Sequence, residues 1–305
     1  MSPSRKRAAA EDLQVEFSVS ERRACAVVDQ PRSTQRYQGH PRSDDAALCR
    51  RLREIVRCRP RFGYRRLTAV LRREGWLVNA KRVQRLCRQE GLKVRKTLRR
   101  RRAIGQSENA CQVQPATRKN QVWCWDFAFD RTSSGTTLKW LSIVDEYTRE
   151  CLALKVDRRF RSEDVLDTLA ELLAMRGVPE CIRSDNGPEF VSQAIREWLE
   201  RLKINALHIA PGSPWENGYA ESFHSKLRDE FLSREEFESL RDARTQTQAW
   251  REDYNHHRPH SSLGYMAPAE FAARSAASAP EKTSATPQPS PPLQQHRGTT
   301  QSRLS

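Results

Sequence analysis

The sequence predicts two unlike parts, a basic all-α region over roughly the first 95 residues and an α/β region beyond about residue 120. Three observations lead there. Charge is segregated: residues 1–120 hold 31 Lys and Arg against 11 Asp and Glu, whereas residues 121–305 hold 23 against 27. Apolar residues recur at helical spacing up to Gly91. After Gln121 three strand-like runs follow one another closely, and strands and helices then alternate.

Composition bounds the possibilities. The chain has 305 residues, 37% hydrophobic and 30% charged, enough for two or three packed domains. Apolar runs such as Ala24–Val28 are too short to span a bilayer. No apolar signal-peptide core follows Arg5-Lys6-Arg7, so the expected location is the cytoplasm. Eight cysteines include no Cys-x-x-Cys pair, which excludes a zinc ribbon and points to buried, reduced thiols. The basic excess at the N-terminal end points to nucleic acid.

Residues 1–17 are expected to lack order. A short helix starts at Ser20 and stops near Pro31, and Ser33 is a second start signal. These residues read as a short helical arm over 1–40. Three helices follow. The first opens on Asp44 and Asp45, carries Leu48, Leu52, Ile55 and Val56 inward, and ends before Pro60. The second runs from Tyr64 to Gly75. The third begins after Asn79, buries Val83, Leu86 and Cys87, and shows Lys81, Arg82, Gln84, Arg85 and Arg88 on its other face. Two short helices joined by a turn, the second basic outside, fit a helix-turn-helix over residues 41–95. A basic linker over 96–119 includes Arg99, Arg100 and Arg101, suited to phosphate contact without sequence reading.

Residues 121–130, 138–144 and 151–156 read as an antiparallel meander with a turn at Thr132–Gly135. A helix capped by Ser162 runs to Gly177, followed by a strand at 181–185, a helix at 192–202 and a strand at 204–209. One long helix is expected from Pro214 to about Leu232, and another from Glu235 to Tyr254. The Ser-, Pro- and Gln-rich tail over 274–305 cannot bury a core and reads as disordered.

Carboxylates inside apolar segments are the informative ones. Asp126 sits mid-strand among Trp123, Trp125 and Phe127, so it needs a partner, a metal or a shifted pKa. Asp185 ends a strand, at the kind of sheet rim where α/β proteins place active sites. Glu221 lies on the helix after Pro214. Three such groups could ligate hard cations or serve structural networks. Arg228, seven residues beyond Glu221 on the same helix face, could hold a phosphate. His256, His257 and His260 have no cysteine nearby to complete a zinc site, so packing or DNA contact is the expected role.

Thirty-five residues separate Asp185 from Glu221. With Trp123-Cys124-Trp125-Asp126, Ser184–Phe190, Pro214–Phe223, Tyr254–His260 and Arg61–Arg66, the pattern resembles the insertion-sequence-three family of bacterial transposases, specifically its second-reading-frame products. That family belongs with the DDE recombinases and retroviral integrases, and the likeness spans roughly residues 20–275. The resemblance implies an RNase H-like core, a mixed five-stranded sheet with flanking helices, over residues 120–273. It implies a Mg²⁺-dependent (or Mn²⁺-dependent), two-ion site of Asp126, Asp185 and Glu221 that cleaves 3′ ends and transfers strands. It further implies double-stranded element-end and target DNA as partners, a homo-oligomer on DNA at the nucleoid, and fusion with or binding to a first-frame product. The competing readings are a DNA-binding regulator with an inactive core, which would not need the acidic triad, and an RNase H-type nuclease, against which the basic helix-turn-helix argues.

Overall fold

The computed structural model describes residues 1–37, 42–92, 94, 115–184, 192–208 and 218–277. The chain divides into two compact units, Met1–Arg100 and Arg101–Ser305.

In the first unit, α1 (Pro3–Phe17), α2 (Glu21–Val27) and α3 (Arg32–Arg36) precede α4 (Asp45–Cys58), α5 (Tyr64–Arg73) and α6 (Ala80–Gln89). The opening segment expected to lack order is therefore helical. Long side chains tie it down: Arg7 donates to the Thr34 carbonyl at 2.7 and 2.9 Å, and Lys6 to the Asp29 carbonyl at 2.6 Å. Helices α4 to α6 bury Leu48, Leu52, Leu67, Leu71, Val83 and Leu86 between them. The Asn79 side chain accepts from the Arg82 amide at 2.8 Å and fixes where α6 begins. Gly75, at φ +87°, allows the turn that separates α6 from α5.

The second unit is a five-stranded mixed sheet of order β3-β2-β1-β4-β5, with β1 Val122–Arg131, β2 Thr137–Asp145, β3 Cys151–Asp157, β4 Cys181–Ser184 and β5 Asn205–His208. The first three strands are an antiparallel meander, and β4 and β5 run parallel to β1 and to each other, respectively. This is the RNase H-like layout, a mixed sheet with helices on both faces.

Alternation along β1 feeds both faces. Trp123 and Trp125 pack against α7 (Ser162–Arg176) and α8 (Gln193–Arg201). Cys124 and Ala128 pack against α9 (Gly218–Leu227), a π-helical turn (Arg228–Leu232) and residues of α10 (Leu240–His256). A final helix, α11, spans Pro268–Ala277. The single helix expected through Leu232 thus changes pitch after Leu227, which lets the adjacent Phe231 and Leu232 both reach the core. Helix α10 starts five residues later than expected. Ser239 caps it by accepting from the Asp242 amide at 3.1 Å, and Phe237 enters the core from the preceding loop. Ser162 is the first residue of α7 rather than its cap.

Candidate active site

Asp126 lies on β1 opposite Ser142 of β2, two residues after Cys124 and so on the α9 side of the sheet. It is half-buried, its side chain 20% exposed. Its Oδ1 accepts from the Phe127 amide at 2.7 Å. Its Oδ2 lies 3.2 Å from Nδ1 of His224 on α9. The far ring nitrogen of His224, Nε2, is 2.8 Å from the Ser142 hydroxyl, which also lies within 3.1 Å of the Asp126 carbonyl. The partner that a mid-strand carboxylate requires is thus a histidine, and the contact joins the Asp126 strand to the helix of Glu221.

Glu221 lies three residues before His224, on the same side of α9, and is exposed. Arg228 is also exposed, at the start of the π-helical turn. Asp185 lies outside the described residues, as do Arg99, Arg100, Arg101 and residues 278–305 of the tail. Of the three expected carboxylates, the structure therefore places Asp126 and the helix of Glu221 in contact through His224. The two described carboxylates are hard oxygen donors, and Asp126 accepts one hydrogen bond on Oδ1 and faces His224 with Oδ2, a donor set that suits Mg²⁺ or Mn²⁺. Among the described residues no group of three or more His, Cys, Asp or Glu is placed to hold a metal.

On the next flank of α9 a cavity of about 420 Å³ is lined by Arg149, Arg183, Lys226, Tyr219 and Ser222, among others. Arg183 pairs with buried Glu146 at 3.0 Å, and burial, opposed by Arg183, pushes the Glu146 carboxyl up to about 7. The histidine word divides. His260 is buried edge-on against Tyr254 and bonds Ser262 at 2.9 Å, whereas His256 is exposed and 3.4 Å from Glu252.

In the first unit, Lys81, Gln84, Arg85 and Arg88 are exposed on α6 as expected. Arg82 is not: it is buried and bound to Asp44 and Asp45 of the α4 end, with Nε 2.9 Å from Asp45. Position 82 is four before Leu86, which turns it toward the core, and the acid pair makes that burial tolerable. Its hydrogen bonds hold the Asp44 carboxyl below its ordinary value. Arg85 reaches Asp45 as well, at 3.0 Å, but stays half-exposed.

Sequence reasoning passed over His224 and Ser142. A signal existed for His224, the i, i+3 relation to Glu221. None existed for Ser142, whose place beside Asp126 depends on strand register.

Comparison with known proteins agrees over most of the chain. Profiles of integrase core domains match residues 116–214 and 202–268, and a profile of an HTH-like domain matches residues 43–102. The uncharacterized 31.7 kDa protein of insertion element IS407 from Burkholderia multivorans is 41% identical over 267 residues, 88% of this chain and 95% of its own. The chain belongs to the insertion-sequence-three family of DDE transposases. The uncharacterized 39.2 kDa protein of IS476 from Xanthomonas euvesicatoria is 39% identical over 90% of this chain and 78% of its own. The transposase InsD of IS2 from Escherichia coli is 31% identical over 75% and 79%. Membership makes this chain a polynucleotidyl transferase that serves DNA transposition. Among solved structures, the HTLV-2 integrase catalytic core in complex with magnesium is 15% identical, with a TM-score of 0.41 over 51% of this chain and 98% of its own.

Proposed function

We propose that the transposase cuts the 3′ ends of its element and joins them to target DNA in one active site made of Asp126, Asp185 and Glu221. The observation that carries this reading is the contact of α9 with β1 through His224 and Asp126, which brings the Glu221 helix to the Asp126 carboxylate. The three carboxylates would hold two divalent cations, Mg²⁺ or Mn²⁺. Such cations, when bound, stabilise charge on the attacking and leaving oxygens of an in-line displacement at phosphorus. Hydrolysis of one phosphodiester frees a 3′-OH, and that oxygen then attacks a target phosphodiester, forming one bond as another breaks. No covalent enzyme intermediate is part of the scheme, so no Ser or Tyr serves as nucleophile.

The remaining residues bind and orient DNA. Lys81, Gln84, Arg85 and Arg88 line the outer face of α6, the second helix of the helix-turn-helix, and would meet the element ends. Arg99, Arg100 and Arg101 would follow phosphates in the linker, and Arg228 would hold a phosphate beside the Glu221 face. A domain order of helical arm (1–40), helix-turn-helix (41–95), linker (96–119), catalytic core (120–273) and tail (274–305) serves this division of labour. The working form is a homo-oligomer on paired DNA ends in the cytoplasm, at the nucleoid, with or without the first-frame product. Among the described residues no helix is long and apolar enough to cross a membrane.

The test is incubation of the purified chain with its element-end DNA and Mg²⁺, followed by mapping of nicks and joints. Asp126→Asn, Asp185→Asn and Glu221→Gln should each abolish both steps while DNA binding survives, because ligation requires anionic oxygen. Strand transfer at wild-type rates by any one of them would remove that residue from the site.

A further inference from the structure

We infer that His224 is a positioning residue that holds the Asp126 carboxylate for the metal, an inference that rests on Asp126 being a ligand. The chain Asp126 Oδ2, His224 Nδ1, His224 Nε2, Ser142 Oγ, at 3.2 and 2.8 Å, has the connectivity of a serine-hydrolase triad. Burial excludes that use. Ser142 is 1% exposed, sits mid-strand on β2 opposite Asp126, and lies under α9, so no substrate carbonyl reaches its hydroxyl. The arrangement serves the carboxylate end.

Proton bookkeeping gives the direction. An ionised Asp126 only accepts, so a hydrogen bond across the 3.2 Å contact with Oδ2 is one that Nδ1 donates. The Ser142 hydroxyl donates to the Asp126 carbonyl at 3.1 Å and lies 2.8 Å from Nε2 of His224. The ring is thereby held at both ends, by strand β2 and by the carboxylate. Oδ1 is held by the Phe127 amide. The carboxylate is thus restrained from both sides, by the Phe127 amide at Oδ1 and by the His224 ring at Oδ2. Ligating carboxylates are commonly oriented by such outer partners, whose loss costs about 10–100-fold in metal affinity.

The geometry separates the two ring nitrogens experimentally. An Asn amide nitrogen falls near the place of Nδ1, and a Gln amide nitrogen near that of Nε2. In the full-length transposase, Mn²⁺ affinity measured by electron paramagnetic resonance should fall about 10–100-fold in His224→Ala and His224→Gln. It should return to within about 3-fold of wild type in His224→Asn, which restores the donor to Asp126. Circular dichroism melts establish which variants fold. Unchanged Mn²⁺ affinity in folded His224→Ala would overturn the inference, and so, whether or not the Ala variant folds, would equal affinities of the Asn and Gln variants. Asp126→Asn separates it from the underlying reading: undiminished Mn²⁺ binding there would show that Asp126 is no ligand, whatever His224 does.

Discussion

Two ionisable pairs lie on the same side of the sheet, and they differ in what they leave open. Arg258, after α10, grips Glu230 of the π-helical turn with Nε and Nη2, both at 2.6 Å, with side chains 2% and 11% exposed. Both carboxylate oxygens are taken by one planar fork, and the pair ties the π-helical turn to the end of α10. His224 and Asp126 share one contact at 3.2 Å, with side chains 14% and 20% exposed. The first pair is closed and can only hold the fold together. The second stays partly open to solvent. The number of donors each carboxylate has already accepted distinguishes the closed pair from the open one.

That contrast can be broken most forcefully at the closed pair. Arg258→Ala leaves Glu230 buried without its cation and should destabilise the transposase by about 3–5 kcal/mol, read from chemical denaturation. A change below about 1 kcal/mol would mean that water reaches the pair and that it is not closed.

The first unit repeats the contrast on a smaller scale. Arg82 is consumed by Asp44 and Asp45, whereas Lys81 and Arg88 of the same helix are exposed. Arg82→Ala should lower the unfolding midpoint of the helix-turn-helix. Lys81→Ala with Arg88→Ala should leave the midpoint alone, weaken DNA binding and flatten its salt dependence by about one unit of slope for each phosphate no longer neutralised. A salt slope unchanged in the double variant would remove α6 from the DNA interface.

The smallest effect belongs to Glu146. Burial raises its folded carboxyl from the ordinary 4.5 to about 7. The native state then binds the extra proton between those values. The contribution of Glu146 to stability is full below about pH 4.5 and is lost as pH rises through about 7. Glu146→Gln should flatten the decline in stability across that window. A slope identical to wild type would place the titration elsewhere.

Much of this was legible in the residues because it depends on local rules. Asn79 and Gly75 frame α6 by capping and turn chemistry, and the alternation of Trp123, Cys124 and Trp125 announces a strand buried on both faces. Asp126 stood out because a carboxylate in that setting is costly. What stayed hidden depends on distant partners. Arg82 looks like every other cation of α6 until α4 supplies its acids. The Tyr254–His260 word draws attention through its histidines, expected to pack or touch DNA, yet its main contributions are the Arg258 fork and the Asn255 side chain, which bonds both the amide and the carbonyl of Cys151 at 2.8 and 2.9 Å. The pitch change after Leu227 has no local marker, because Phe231 and Leu232 satisfy helical periodicity as well as they satisfy a π turn.

Strand β3 is an outer strand of the sheet, and α10 lies against it. Asn255 takes the Cys151 backbone, Arg251 donates to the carbonyls of Cys151 and Leu152 at 3.0 and 2.7 Å, and Arg244 reaches the Val156 carbonyl at 3.4 Å. A foreign strand seeking to extend the sheet at these positions would have to displace two arginines and an asparagine first. Growth into a continuous intermolecular sheet, the route by which crowded copies aggregate, is thereby opposed on that side by α10.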